Sequence, residues 1–340
     1  MSVAESRFEH RLDGGTDLAS AAALLAKGER VIAQFGAATY NSRTLAEVDR
    51  LAKQFGRLLN VRFFGHYGSQ FDFTVLRRVP HISNLTVDCD EAINFEVLQD
   101  LEFLQAVHVG VFIGVPDDLL SYRSLHRVES LGVGGGSSNR LMLDCLGAYT
   151  RLADLTVAGY TKGIEELAGA KKLMRLRLTG IGSKQRLHFV NKLPALRELS
   201  LLLGGRQDID EVVCPTVQRL ELIRVRGLAR VRTENFVGLE HFEVQDQLQL
   251  RGLTFSGASR RLLSCRVVNC KTLHVIEGLK ALEILEGLHV YLTAVDFDEL
   301  VRQGLPSSLK VLAFHDRSRR ADAIIQKKLA DLGFTAPQVA

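Results

Sequence analysis

No tryptophan occurs in the 340 residues, and proline, methionine and cysteine are scarce at 6, 3 and 5. The cysteines, at positions 89, 145, 214, 265 and 270, are odd in number and form no C-x-x-C pair, which argues against a disulfide framework and against a zinc site. Reduced, mostly buried thiols are expected. No window approaches the roughly 18 uninterrupted apolar residues that a membrane helix needs. The first eleven residues carry Glu5, Arg7, Glu9 and Arg11 where a secretory signal would place an apolar core of about 7–15 residues, so the cytoplasm is the expected compartment. Signature catalytic motifs are missing as well: there is no G-x-x-x-x-G-K-S/T, no H-E-x-x-H and no G-x-S-x-G. A hydrophobic content of 46% excludes a disordered chain.

Charge is present but unevenly distributed. The net value of +4 combines residues 1–170, with 16 Lys/Arg against 21 Asp/Glu, and residues 171–340, with 27 against 18, so one half carries −5 and the other +9. A basic half fits either an acidic partner or a solvated surface.

The strongest signal is a repeat. A pattern L-x-x-L-x-L, with Val, Ile, Phe or Cys also accepted at the L positions, starts at residues 58, 82, 104, 128, 152, 173, 196, 217, 239, 262, 285 and 309, with spacings of 21–24 residues throughout. Examples are Leu173-Leu176-Leu178, Leu196-Leu199-Leu201 and Leu262-Cys265-Val267. Several units extend backwards at period three, as in Phe95-Leu98-Leu101-Leu104-Val107, before changing to period two. The first period predicts a short helical or 3₁₀ segment and the second a strand.

On these residues the chain resembles the leucine-rich repeat proteins, in particular the short-repeat, internalin-like bacterial type, over about residues 58–315. The resemblance implies an α/β leucine-rich repeat solenoid: a curved parallel inner β-sheet of about twelve strands, short outer helical or 3₁₀ segments, and helical caps. Each coil buries its apolar face only by stacking on its neighbours. The chain departs from the family at the Asn or Cys that usually follows the strand. The equivalent positions include Asp90, Phe112, Gly136, Tyr160, Ile181, Gly204, Val225, Gln247, Cys270 and Thr293, of which only Cys270 matches, so the turns must satisfy their backbone groups in another way.

The expected organisation is an N-terminal helical cap and edge strand over 1–57, the array of about twelve repeats over 58–315, and a C-terminal cap helix and tail over 316–340. The cap elements are a run from Leu18 to Lys27, an edge strand at Arg30 to Phe35, an amphipathic helix opening at Ser42 with Leu45, Val48, Leu51, Ala52 and Phe55 on one face, and a helix from Arg320 to Leu332. About 57 residues before the array and 25 after it leave no room for a catalytic domain, so no enzymatic activity is expected. No cofactor is expected either. The glycine cluster Gly132 to Gly136 with Ser137 and Ser138 lacks G-x-G-x-x-G spacing and reads as an inter-coil turn. The acidic groups Asp88 to Glu91 and Asp208 to Glu211 read as solvated loop charge, and no histidine, His81, His126 and His274 included, has a metal-site neighbour.

Side chains between the L positions point out of the sheet. They are small in the early coils, as at Ala106, Gly110, Ser130, Gly132 and Gly134, and charged or aromatic later. The candidate partner-binding residues on the expected concave face are Arg175, Arg177, Glu198, Arg219, Glu221, His241, Glu243, Arg266, His289 and Tyr291. Two readings of this set stand: a recognition surface, or cross-strand ion pairs that hold the sheet in register. The size of the expected sheet favours recognition. The chain is therefore expected to be a non-enzymatic protein-protein interaction module, with an immunity or antitoxin-like protein or a regulatory adaptor as special cases. The alternative is a nucleic-acid or polyanion binder using the basic stretch Arg224 to Arg232 with Arg251, Arg260 and Arg261. The absence of interleaved aromatics for base stacking makes nucleic acid the lesser expectation.

Overall fold

The computed structural model describes residues 10–37, 39–135, 140–316 and 318–334. The chain divides into two compact units at Met174/Arg175. In the first, β1 (His10–Asp13), β2 (Val31–Phe35), β3 (Leu59–Gly65), β5 (Asn84–Ile93), β6 (Ala106–Ile113), β7 (Ser130–Gly134) and β8 (Asp154–Ala158) lie side by side in chain order, all parallel. The short β4 (Phe71–Asp72) pairs with the far end of β5. Each strand sends its L residues, such as Val61, Phe63, Leu85 and Val87, into the core, where they are fully buried. Period-three segments form 3₁₀ turns, for instance Phe73–Arg78, Phe95–Asp100 and Ile164–Gly169, which bring the chain back to the next strand.

The edge strand expected over 30–35 forms as Val31–Phe35 and is not an edge, because β1 pairs outside it. That pairing was hidden in a four-residue strand too short to show a period. Helix α1 (Leu18–Ala26) precedes β2, and α2 (Ser42–Phe55) precedes β3. Asn41, one residue before the expected start, caps α2: its side chain accepts from the N–H groups of Arg43 and Thr44, and Thr44 Oγ1 accepts from the Asn41 N–H at 2.8 Å. Leu45, Val48, Leu51 and Ala52 are buried. A chain of ring contacts runs Phe35–Phe63–Phe71–Phe73–Phe95 with centroids 4.5–5.6 Å apart, and every ring in it is buried.

The second unit repeats the plan. Strands β9 (Arg175–Thr179), β10 (Glu198–Leu202), β11 (Arg219–Ile223), β12 (His241–Gln245), β14 (Ser264–Val268), β16 (Gly287–Tyr291) and β17 (Val311–His315) form a parallel sheet in that order. A separate two-stranded ladder joins β13 (Gly252–Thr254) to β15 (Val275–Glu277). Two helices follow: α3 (Phe297–Arg302) precedes β17, and α4 (Arg319–Asp331) buries Ile325 and Leu329. Gln326 of α4 donates to the Phe314 carbonyl at 2.9 Å.

The missing asparagine row is replaced in two ways. Gln247 is fully buried, and its amide donates to the carbonyls of Leu222 (2.9 Å) and Gln245 (2.8 Å), so it does the work expected of Asn with one more methylene. Cys270 offers its thiol to Val244 and Val268 in the same manner. Where the position holds Ile181, Gly204 or Val225, the loop backbones pair directly: Gly205 N–H donates to Ile181, Arg226 N–H to Gly204, and Arg206 N–H to Arg226. Residues at the strand ends take left-handed backbone, at Leu203, Arg224, Asp246, Asn269 and Leu292 (φ 51 to 56°), and each donates its N–H to the neighbouring strand. Replacing Gln247 with Leu removes both of these buried hydrogen bonds, and we expect a loss of about 1–3 kcal/mol in urea unfolding, with Gln247→Asn losing less.

Among the described residues no helix is long and apolar enough to cross a membrane. All five thiols are free, and burial pushes Cys89 and Cys265 up to about 12 and Cys145 and Cys270 up to about 11.

Candidate functional site

Register in the second unit sets three rows of side chains on the sheet face opposite the core. The first runs Arg175, Glu198, Arg219, His241, Ser264 and Gly287; the second runs Arg177, Ser200, Glu221, Glu243, Arg266 and His289. All ten candidate residues fall on this one face, in adjacent positions. The third row runs Leu202, Ile223, Gln245, Val268 and Tyr291 along the strand ends, and its apolar members Leu202, Ile223, Val268 and Tyr291 are half-buried. These are the residues next after each L-x-x-L-x-L unit; Leu202, Ile223 and Val268 carry no charge that would mark them in the sequence.

Ion pairing uses part of the charge. Arg175 approaches Glu198 at 3.9 Å, Arg177 approaches Glu221 at 3.7 Å, and Arg266 meets Glu243 at 3.3 Å. Ser200 donates to Glu221 at 2.7 Å. Arg219 makes no ion pair with the described residues. Glu221 and Glu243 stand directly opposite each other, an unfavourable like-charge placement in a sheet. Burial raises the Glu243 carboxyl above its usual range and Glu221 adds to this, against the lowering effect of Arg266 and Arg219. Burial also lowers His241 and His289, helped by Arg219 and Arg266 respectively, so both imidazoles are biased toward the neutral form. Tyr291 is held on several sides: the Arg266 guanidinium lies 5.9 Å from its ring centre, His315 stacks at 5.1 Å, and its hydroxyl lies 3.1 Å from His289 Nδ1.

Four of the seven arginines of the basic set are paired, and Arg226, Arg251 and Arg260 make no ion pair with the described residues. Arg224 pairs with Asp246 at 3.0 Å, Arg230 with Asp210 and Asp208, Arg232 with Asp210 at 3.2 Å, and Arg261 with Glu240 at 3.1 Å. Arg224 follows β11, Arg226 joins a loop bridge, and Arg230 and Arg232 reach back one coil. Asp208 to Glu211 are accordingly not solvated loop charge, since Glu211 is 15% exposed and lies within 3.4–3.6 Å of Arg186, His188 and Arg206.

In the first unit the corresponding face is more closed: Asn60, Asn84, Thr86 and Asp154 are buried. It carries a cluster that the sequence reading missed. Asp88 belongs to β5 rather than to a loop, and it bonds Arg62 at 2.8 Å and His108 at 3.4 Å. Gly132, on β7 rather than in a turn, makes room for it, because a Cβ there would stand 2.1 Å from His108 Nδ1. Residues 136–138 of the glycine cluster lie outside the described residues. The hint was a glycine opposite a large polar residue, visible only once the register is known. Burial raises the Asp88 carboxyl, but the His108 hydrogen bond and Arg62 outweigh it and hold it below the usual range. The stabilisation is therefore present above the unfolded pKa of about 3.9 and is lost as pH falls through the lower folded value. Asp88→Asn should flatten the acid limb of a urea-midpoint profile below about pH 4.

No family model matches the sequence, and no curated protein matches it. Solved structures do match. An internalin (inlF) from Listeria monocytogenes is 15% identical, with 92% of this chain and 98% of that one covered at a TM-score of 0.50. The TLR13–ssRNA13 complex is 15% identical at a TM-score of 0.53, with 76% of this chain and 44% of that one covered. A leucine-rich repeat protein of Leptospira interrogans covers 89% of both chains at 13% identity and a TM-score of 0.48. The repeats, the parallel strands and the likeness to the internalin and to TLR13 together define the fold as the leucine-rich repeat solenoid.

Proposed function

We propose that the chain is a binding protein, not an enzyme, and that it docks a protein partner on the face formed by β9 to β16. One observation carries the reading. The half-buried apolar side chains Leu202, Ile223, Val268 and Tyr291, with Gln245 between Ile223 and Val268, border two charged rows in which Arg219 is left without an ion pair among the described residues. Such a border of apolar and polar surface is how protein interfaces are built. Tyr291, fixed by Arg266, His289 and His315, serves as the anchor, because an ordered ring gives up little side-chain freedom on binding. Arg177 and Arg266 flank the opposed carboxylates Glu221 and Glu243, and this sign pattern selects the partner.

The pairing of Arg224, Arg230, Arg232 and Arg261 with carboxylates of the same unit interrupts any continuous phosphate track, so the protein-binding reading is preferred over nucleic acid. A cytoplasmic setting fits five free thiols, and an immunity-like or adaptor role fits a binding face without catalytic groups. In this reading residues 1–57 and 316–340 cover the ends of the repeat segment 58–315. The test is capture of partners from the cell of origin by wild type and by the Arg177→Glu, Arg266→Glu double variant. The double variant is expected to lose the specific partner, and unchanged capture by a correctly folded variant would remove this face from the account.

A further inference from the structure

The loops after β9, β10 and β11 enclose a cavity of about 600 Å³, off the sheet face and within the second unit, to which Ser183, Arg186, Gly205, Arg206, Glu211 and Arg226 contribute. Its volume is in the range of small-molecule sites. Arg206 is 7% exposed and is fixed in place: its guanidinium donates to the carbonyls of Gly182 (3.3 Å) and Gln185 (3.1 Å) and to Glu211 (3.4 Å). Glu211 also accepts from the Leu187 N–H at 3.0 Å. The carboxylates of the wall are already matched, Glu211 by Arg206, Arg186 and His188, and Asp208 by Arg230. Arg226 is exposed and makes no ion pair with the described residues, and Arg186 is 75% exposed with only a 3.6 Å approach to Glu211. Positive charge is thus left over at the rim.

Gly205 supplies an independent observation. Its φ is not positive, and a Cβ there would come no closer than 3.9 Å to any atom, so neither backbone conformation nor packing within the chain calls for glycine. Gly182, one coil earlier and bridged to it, is equally unconstrained. Glycine at an unstrained position costs chain entropy. What it leaves here is a bare backbone floor in the cavity, which a ligand can approach closely.

The geometry points to a binding site for a small oxyanion-bearing ligand, phosphoryl or carboxylate, held by the guanidinium groups of Arg186 and Arg226 above the Gly205 floor. Arginine pairs with both anions in a two-pronged fashion. The site is separate from the partner face and does not depend on it.

Calorimetric titration of the full chain with inorganic pyrophosphate, and separately with citrate, tests the proposal, and the tighter of the two identifies the phosphoryl or the carboxylate class. Arg226→Glu and Gly205→Val are each expected to weaken binding about tenfold or more, while Lys280→Glu, an exposed charge elsewhere in the unit, leaves it unchanged. Gly205→Val should keep the wild-type melting temperature, and it decides the matter if Arg226→Glu fails to fold. No binding of either anion by wild type at millimolar concentration, equal weakening by Lys280→Glu, or full binding by Gly205→Val would overturn the site.

Discussion

Phe63→Ala should lower the stability of the first unit by about 3–5 kcal/mol, the usual cost of removing a buried aromatic ring. Phe63 is fully buried and touches the rings of both Phe35 and Phe71, so its loss opens a cavity in the middle of the ring chain that joins three coils. The neighbouring residue on the same strand is the natural control. Phe64 points to the other face, where the Arg62 guanidinium lies 5.3 Å from its ring centre, and Phe64→Ala should cost about 1 kcal/mol or less. Chemical denaturation followed by circular dichroism reads both. Similar losses for the two variants would contradict the assignment of faces on β3.

The second large effect is on binding. Once the partner is in hand, Tyr291→Ala should weaken its affinity by about 2 kcal/mol or more, roughly thirtyfold, as expected for an anchor residue in the desolvated part of an interface. Tyr291→Phe keeps the ring between Arg266 and His315 and gives up only the contact with His289, so its loss should be several-fold smaller. If Phe and Ala are equally damaging, the hydroxyl and not the stacked ring carries the contact. If neither matters, the anchor lies elsewhere on the face. Both are read by surface-immobilised binding with circular dichroism as the folding control.

The two periods in the sequence reveal the repeat strands and their order, because an L-x-x-L-x-L unit buried on one face leaves little choice of register. They also place all ten candidate residues on one face, since alternation along a strand is a purely local property. What they cannot reveal is which side chains from different coils become neighbours. Asp88 reads as loop charge until the pairing of β3, β5 and β6 sets it between Arg62 and His108. Gln247 reads as a departure from the family until its extra methylene is seen to reach Leu222. The acidic residues of the Asp208–Glu211 segment meet Arg230 and Arg232 some 20 residues later, a contact fixed by coil stacking and not by sequence proximity. Charge drew attention to Arg177 and Arg266, whereas Leu202 and Ile223 look like ordinary strand residues; their half-exposure comes from their place at the strand ends.

The left-handed row bears on the same point. Leucine at φ 52–53° is uncommon and costs roughly 1–2 kcal/mol per residue, yet Leu203 and Leu292 both adopt it and remain 53% and 41% exposed. They flank the apolar row at either end, Leu203 after β10 and Leu292 after β16. The conformation recurs at Arg224, Asp246 and Asn269, where each N–H likewise bonds the next strand, so the coil geometry sets the backbone and leaves these two leucines exposed.

The most direct test of the account is quantitative capture of the partner by three proteins: wild type, the Arg177→Glu, Arg266→Glu double variant, and an Arg260→Glu control. The account predicts capture by wild type and control alike and at least a tenfold loss in the double variant, which crowds four carboxylates on the face and melts at a lower temperature but remains folded by circular dichroism at the temperature of the assay. Equal capture by all three would contradict it.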